Sequence, residues 1–121
     1  MANPSTDGPT SALGTEILRR SHGNATGTGD VKLIDGTAGY IYTVLSVVVC
    51  ERAGNPENFN LFVMADGSSG IFLLDSQPLA ANSTFVFSDR IVITGADELT
   101  IDLDASGDVF AWCSYIEQRW V

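Results

Sequence analysis

The sequence contains few basic residues. Among its 121 residues are one lysine, five arginines and one histidine against 15 acidic residues, which gives a formal net charge of -9. Binding to nucleic-acid phosphates requires clustered lysine and arginine side chains, and adsorption to an anionic lipid surface requires them as well. We therefore expect neither a nucleic acid nor a membrane among the partners of this chain.

Long apolar runs are also lacking. The most apolar segment, residues 41–50, is interrupted by Thr43 and Ser46 and is too short for a membrane-spanning helix, which needs about 20 residues. Residues 1–9 are polar and lack the apolar centre of a signal peptide. We expect synthesis in a cytoplasm.

Cysteine is scarce, and the two residues present, Cys50 and Cys113, lie 63 positions apart. This separation fits no metal-ligand spacing. Each thiol falls late in an apolar, strand-like segment, where cysteine behaves as a small hydrophobic residue. We interpret both as buried thiols. A disulfide is the alternative if the two strands are neighbours or if the protein matures outside the cell.

The sequence offers no catalytic constellation. His22 is the only imidazole, and it lies in a Gly- and Asn-rich segment that cannot hold a catalytic base in place. The segment from Asp102 to Gly107 resembles the start of a calcium-binding loop, but the twelfth position is Cys113 where a bidentate glutamate is required. We therefore predict no catalytic residue, no cofactor and no metal site, and we expect a protein that is not an enzyme.

The composition divides the chain in two. All 11 aromatic residues lie at Tyr40 or beyond, whereas residues 1–30 consist mainly of small and polar residues and carry a net charge of -1. A segment without large side chains buries too little surface to offset the entropy of ordering. The sequence predicts a flexible or extended N-terminal arm over residues 1–30 and a folded domain over residues 31–121.

The folded part has a β pattern. The β-branched and aromatic residues of 40–50 predict a central or doubly covered strand. Residues 84–88 and 90–93 are interpreted as one interrupted strand, and residues 99–104 alternate strictly between apolar and polar. Residues 105–108 are expected to close a hairpin. Seven or eight short strands with frequent turns favour an all-β fold, a single β-sandwich of jelly-roll type.

Some residues are better suited to a subunit contact than to a core. The expected arm carries a small apolar group with two adjacent arginines, and near the C-terminus an arginine lies beside a tryptophan, residue types enriched at interfaces. Trp112 and Tyr115 fit either core packing or stacking on a sugar. The candidate interface residues are Leu13, Ile17, Leu18, Arg19, Arg20, Arg119 and Trp120.

Four strand-like segments, 38–52, 77–87, 91–101 and 112–117, follow the patterns "YTV…S…VCN", "P.…A..T", "IVL.AGDTL.V" and "SYIE". In these patterns the chain resembles the small virion proteins of tailed bacteriophages. Glu51 stands where the family has asparagine, and Thr94 stands where an acidic residue is common. The match extends over about residues 31–118.

The resemblance implies a jelly-roll structural component of a virion, synthesised in the bacterial host cytoplasm. Its expected role is capsid decoration (a cement protein), with the arm and the β-domain bound to the shell. The expected partners are other copies of the chain, preferably in a homotrimer, and the major capsid or other virion proteins. A neck, collar or tail-fibre module and a carbohydrate-binding β-module are the alternatives.

Overall fold

The computed structural model describes residues 16–119 as two antiparallel β-sheets packed face to face. This confirms the all-β sandwich of jelly-roll type expected from the sequence. No helix among these residues is long and apolar enough to cross a membrane. The nine strands are β1 (Glu16–Ala25), β2 (Val31–Asp35), β3 (Tyr40–Glu51), β4 (Glu57–Ala65), β5 (Ser69–Leu79), β6 (Thr84–Phe87), β7 (Ile91–Thr94), β8 (Glu98–Leu103) and β9 (Val109–Arg119).

One sheet has five strands in the order β1-β9-β3-β6, with β7 also paired to β3, and the other has four strands in the order β2-β8-β4-β5. β3 is central, as predicted. Its residues 47–50 pair with β6 and its residues 41–44 pair with β7. The two short strands therefore share one long partner, which agrees with the prediction of an interrupted strand.

Part of the expected arm belongs to the sandwich. Glu16–Ala25 pairs along its full length with β9, from Glu16 opposite Gln118 to Ala25 opposite Val109. A Cβ at Gly23 would lie 2.6 Å from Val31 Cγ1, so the glycine lets β1 approach β2 closely. The sandwich therefore does not begin at residue 31. Backbone pairing with β9 keeps this segment ordered, whereas its small side chains could not do so by packing alone. Residues 1–15, the rest of the expected arm, lie outside the described residues.

The core lies between the two sheets. The alternation predicted over residues 99–104 is confirmed, because Leu99, Ile101 and Leu103 are all buried. Residues 105–108 do not close a hairpin as expected. β8 pairs with β2 and β4 while β9 pairs with β1 and β3, so this turn connects the two sheets.

A bulge in β3 sets which side chains point outward. The register with β9 shifts between Val44 and Ser46, so one extra residue, Leu45, lies in β3. Before the bulge Val44 is buried, and after it Val47 and Val49 are buried. Apolar side chains on both faces of this strand therefore fill the core on one side and form part of the outer surface on the other.

Candidate interaction surface

The outward-pointing side chains of the five-stranded sheet form a surface that we call the outer face. Its large apolar members include Phe110 and Trp112, whose side chains are 40% and 46% exposed, and also Leu18, Val86 and Val92. A sandwich sheet that faces water normally presents polar side chains. Three cross-strand rows are Asn24–Phe110–Cys50–Thr84, His22–Trp112–Val48–Val86 and Leu18–Ile116–Thr43–Val92.

Cationic and imidazole side chains lie against the aromatic rings of the outer face. The His22 ring stacks on Trp112 with 5.8 Å between centroids and an interplanar angle of 15°. The guanidinium carbon of Arg20 lies 5.0 Å from the centroid of Trp112, and that of Arg52 lies 4.5 Å from the centroid of Phe110. These are cation–π distances. The apolar surface therefore carries positive charge beside its largest rings.

A groove of about 530 Å³ runs along this part of the outer face. Its lining includes His22, Asn24, Val48, Cys50, Phe110 and Trp112. Most of these groups are apolar or weakly polar, and no carboxylate is among them. The groove is therefore suited to an apolar side chain from a partner rather than to a polar substrate.

The structure brings some of the predicted interface residues into the outer face. Leu18 and Arg20 point outward from β1, whereas Arg19 pairs with Glu117 at 3.1 Å between Nε and Oε2. Ile17 lies opposite Glu117, at the same end of the sheet as the exposed Arg119. The other two residues, Leu13 and Trp120, lie outside the described residues.

Phe110 and Trp112 did not emerge as interface residues from the sequence. Apolar residues occupy both the odd-numbered and the even-numbered positions of β9. Its sequence pattern therefore does not reveal which face of the strand points into the core. The structure buries Val109, Ala111, Cys113 and Tyr115 and leaves Phe110 and Trp112 outside. The sequence did not decide whether Trp112 and Tyr115 lie in the core or at the surface. In the structure, Tyr115 belongs to the core and Trp112 to the outer face.

Both cysteines are free thiols. β3 and β9 are neighbours, but the register places Cys50 opposite Phe110 and Cys113 opposite Val47. An offset of three residues corresponds to about 10 Å along the strands, beyond the reach of a disulfide. Burial raises the pKa of the Cys113 thiol to about 12, and the neighbouring Ser21 hydroxyl lowers it by less. Cys113 is therefore buried as predicted, whereas Cys50 is half-buried in the groove.

Glu51 is a buried carboxylate that organises two loops. Its oxygens accept hydrogen bonds from the backbone N–H groups of Ala53, Gly54 and Asn82. Burial by itself would raise the pKa of this carboxyl group, but the backbone donors outweigh it and the pKa is lowered. Glu51 therefore holds the β3–β4 and β5–β6 connections together.

The aspartates that resemble a calcium loop have protein partners. Asn60 Nδ2 donates to Asp102 Oδ1 at 2.7 Å and to Asp104 Oδ1 at 2.9 Å, and Ser76 Oγ donates to Asp104 Oδ2 at 2.7 Å. Burial raises the pKa of Asp102, while the bonds from Ser76 and Asn60 lower that of Asp104. Within residues 16–119, no group of three or more His, Cys, Asp or Glu side chains is arranged to hold a metal ion.

A second apolar surface lies at the end of the β4–β5 hairpin, on the outward side of the four-stranded sheet, and we call it the hairpin patch (Phe62 and Phe72). Phe72 is 50% exposed, and its ring stacks on that of Phe62, its cross-strand partner, with 4.9 Å between centroids. The acidic residues Asp66 and Asp97 lie beside the hairpin turn, where an Asp97 oxygen accepts the backbone N–H of Asp66 at 2.9 Å.

Charge is distributed unequally between the two sheets. The strands of the five-stranded sheet contain three glutamates and three arginines, whereas those of the four-stranded sheet contain five acidic residues and one lysine, Lys32. That lysine is paired with Glu98 at 2.9 Å. The outer face is therefore close to neutral with exposed arginines, and the opposite sheet is acidic.

No protein-family model and no curated protein matches the sequence. Among solved structures, the fold is similar to that in a structure entitled "Bacillus endospore appendages form a novel family of disulfide-linked pili", with a TM-score of 0.57, 16% identity, and coverage of 88% of this chain and 90% of that one. A pentameric capsid protein from metagenomic phage sequences aligns with a TM-score of 0.45, 12% identity, and coverage of 83% of this chain and 60% of that one. At these identities the similarity concerns the fold alone.

Proposed function

We propose that the chain is a non-enzymatic structural subunit of a tailed-phage virion that decorates the capsid and associates with further copies of itself. The observation that carries the proposal is the outer face, where apolar side chains continue across all five strands. A monomer rarely exposes a large contiguous apolar surface, and such a surface indicates a protein contact. The phage-like strand patterns of residues 31–118 support the virion assignment.

The acidic character of the rest of the molecule supports the same role. A net charge of -9 keeps free subunits apart, while a nearly neutral apolar face permits specific docking. Strand β1 lies at the edge of the five-stranded sheet, and we propose that residues 1–15, which precede it in the sequence, add to the contact with the shell. The preferred assembly is a homotrimer.

A carbohydrate-binding module is the second candidate, because exposed aromatic rings on a sheet can stack on sugars. Trp112 and Phe110 provide such rings. However, Trp112 already stacks with His22 and contacts Arg20, and the groove offers few of the hydrogen-bonding groups that sugar hydroxyls require. These features favour a protein partner.

Copy number in the particle tests the proposal. Quantitative mass spectrometry and cryo-EM of purified particles should find the chain on the capsid surface in hundreds of copies. A count of about a dozen or fewer, set by the symmetry of a single vertex, would instead favour the neck, collar or tail-fibre alternative. A purified chain that stays monomeric and binds glycans would contradict the structural role.

A further inference from the structure

Among residues 16–119, two apolar surfaces lie exposed on the two different sheets. The outer face offers a groove beside Trp112 and Phe110, and the hairpin patch offers the projecting side chain of Phe72. We propose that the hairpin patch of one copy docks into the outer-face groove of the next copy, in a heterologous, head-to-tail contact. This inference rests on the proposed self-association and specifies which surfaces carry it.

The charges around the two surfaces are complementary. Arg20 and Arg52 lie against the aromatic rings that line the groove or border it. Asp66 and Asp97 lie beside the turn of the hairpin patch. Docking places these carboxylates near the arginines at the rim, where opposite charges set the orientation of a complex.

The alternative contact between two identical outer faces lacks this complementarity. It would bring Arg20 and Arg52 of two copies to one interface from which acidic residues are largely absent. It would also leave Phe72 uncovered. The head-to-tail contact covers both apolar surfaces with one interaction.

The hairpin is well suited to insertion because its tip is already ordered. Gly67 N–H donates to Met64 O at 3.0 Å, and Ser68 N–H donates to Ala65 O at 3.0 Å. Asp66 and Gly67 adopt φ angles of 53° and 72°, which fix the tight turn. A preordered element loses little conformational freedom when it binds.

Head-to-tail contact also has consequences for symmetry. A contact between two different surfaces generates a closed ring or an open filament, whereas a contact between identical surfaces stops at two copies. A cyclic trimer, the preferred assembly, is built from heterologous contacts. The proposed contact is therefore compatible with that symmetry.

A mixing experiment tests the inference on the full chain. Trp112→Glu disables the groove and Phe72→Glu disables the hairpin patch, and both residues are exposed enough for the fold to tolerate the change. Each variant alone should associate at least about 30-fold more weakly than the unsubstituted chain, the effect of losing an interface hot spot. An equimolar mixture should form a 1:1 heterodimer that grows no further, because one intact groove and one intact patch remain. Sedimentation velocity provides the readout.

One control variant and one further test variant show whether the groove itself is the docking site. Val92→Glu adds the same charge to an exposed residue on the outer face, in a row remote from Trp112, and should leave association unchanged. Arg52→Glu, in an exposed turn, should weaken association without altering the circular dichroism spectrum. This variant tests the groove while Trp112 is left unchanged.

Three results would overturn the inference. If Phe72→Glu alone still dimerises while Trp112→Glu does not, identical outer faces form the contact and only the proposed self-association stands. If Val92→Glu disrupts association as strongly as Trp112→Glu, the groove is not the docking site. If the unsubstituted chain remains monomeric at all concentrations, the proposed self-association fails together with the inference.

Discussion

Glu51 shows how one buried charge can be stabilised without a cationic partner. Its carboxylate accepts three backbone hydrogen bonds from two different loops, and each bond to an ionised group is stronger than one between neutral groups. The backbone N–H of Glu51 also donates to Ser83 O at 3.0 Å. The residue therefore joins the end of the central strand to the start of β6.

We expect Glu51→Gln to remove part of the acid sensitivity of the fold. Because the folded state lowers the pKa of Glu51 below the value of 4.5 for an unperturbed glutamate, its charge stabilises the fold above that pH, and the contribution is lost as the pH falls through the folded-state pKa. Glutamine also directs an NH₂ group toward backbone donors. Thermal unfolding between pH 3 and pH 7 should show a lower Tm at pH 7 and a flatter acid limb for the variant.

The matched control is Asp89→Asn, a neutralisation in the exposed β6–β7 connection, for which we expect an acid limb like that of the unsubstituted chain. An unchanged acid limb in Glu51→Gln would show that its carboxylate does not contribute to acid unfolding.

The role of Glu51 was not predictable from the sequence. Ala53 and Gly54 are its near neighbours, but Asn82 is 31 positions away and approaches it only through the fold. In the strand pattern that resembles the phage virion proteins, Glu51 is only a departure from an asparagine. A single acidic residue at the end of an apolar strand has no pattern that distinguishes a buried carboxylate from an exposed one.

Among the elements, β1 depends most on its neighbour. Its residues include two arginines, a glycine and an asparagine, which have low β propensity or little apolar surface. Its order comes from ten residues paired with β9 and from the Ser21 hydroxyl, which donates to Leu33 O in the other sheet. A terminal strand of this kind belongs to the fold although its own sequence indicates an arm.

Two truncations separate the arm from the strand. Deleting residues 1–15 should leave the melting temperature nearly unchanged, because every described strand is retained. Deleting residues 1–30 removes β1, exposes the edge of β9 and uncovers core residues, and should cost about 3–5 kcal/mol or prevent folding in a domain of ordinary stability.

Circular dichroism and urea unfolding provide the measurement for both truncations. Equal stability of the two would show that β1 contributes nothing to the sandwich. A large loss on deleting residues 1–15 alone would show that the folded domain begins earlier in the chain than β1.

Most strands were predictable because their residues have strong local preferences. The alternation of Leu99, Ile101 and Leu103 identifies β8, and the β-branched run identifies β3. The connection between β8 and β9 was predicted wrongly because a short Ser-Gly turn is common to hairpins and to links between sheets. The choice is made by β2 and β4, which pair on both sides of β8.

At the scale of the whole molecule, the outer face and the net charge act together. The chain carries a net charge of -9, yet the strands that form the outer face have equal numbers of acidic and basic residues. Repulsion between free subunits is therefore weakest at this face. The sequence revealed the charge imbalance between segments, but only the sheet order shows which surface is neutral.

The rate at which a thiol reagent modifies Cys50 should report the association of whole subunits. Cys50 lines the groove and is partly accessible, whereas Cys113 is fully buried and its pKa is raised to about 12 by burial. A maleimide should therefore modify one thiol per folded chain and two in urea. The rate at Cys50 should fall as protein concentration rises, because a docked hairpin covers the groove.

The Trp112→Glu variant supplies the comparison, since its labelling rate should not depend on concentration. Rapid modification of Cys113 in the folded chain would contradict the buried position of this thiol. A Cys50 rate independent of concentration in an associating chain would place the contact elsewhere.

The pairing of β1 with β9 has a consequence for how the chain folds. Ala25 and Val109, the closest pair of this ladder along the chain, are 84 positions apart, and contacts of such long range are slow to form. During synthesis, β1 remains unpaired with β9 until β9 has left the ribosome. The nascent chain meanwhile exposes the unpaired edges of β1 and β3, and such intermediates are prone to aggregate. Productive folding of the sandwich therefore depends on the release of β9 from the ribosome.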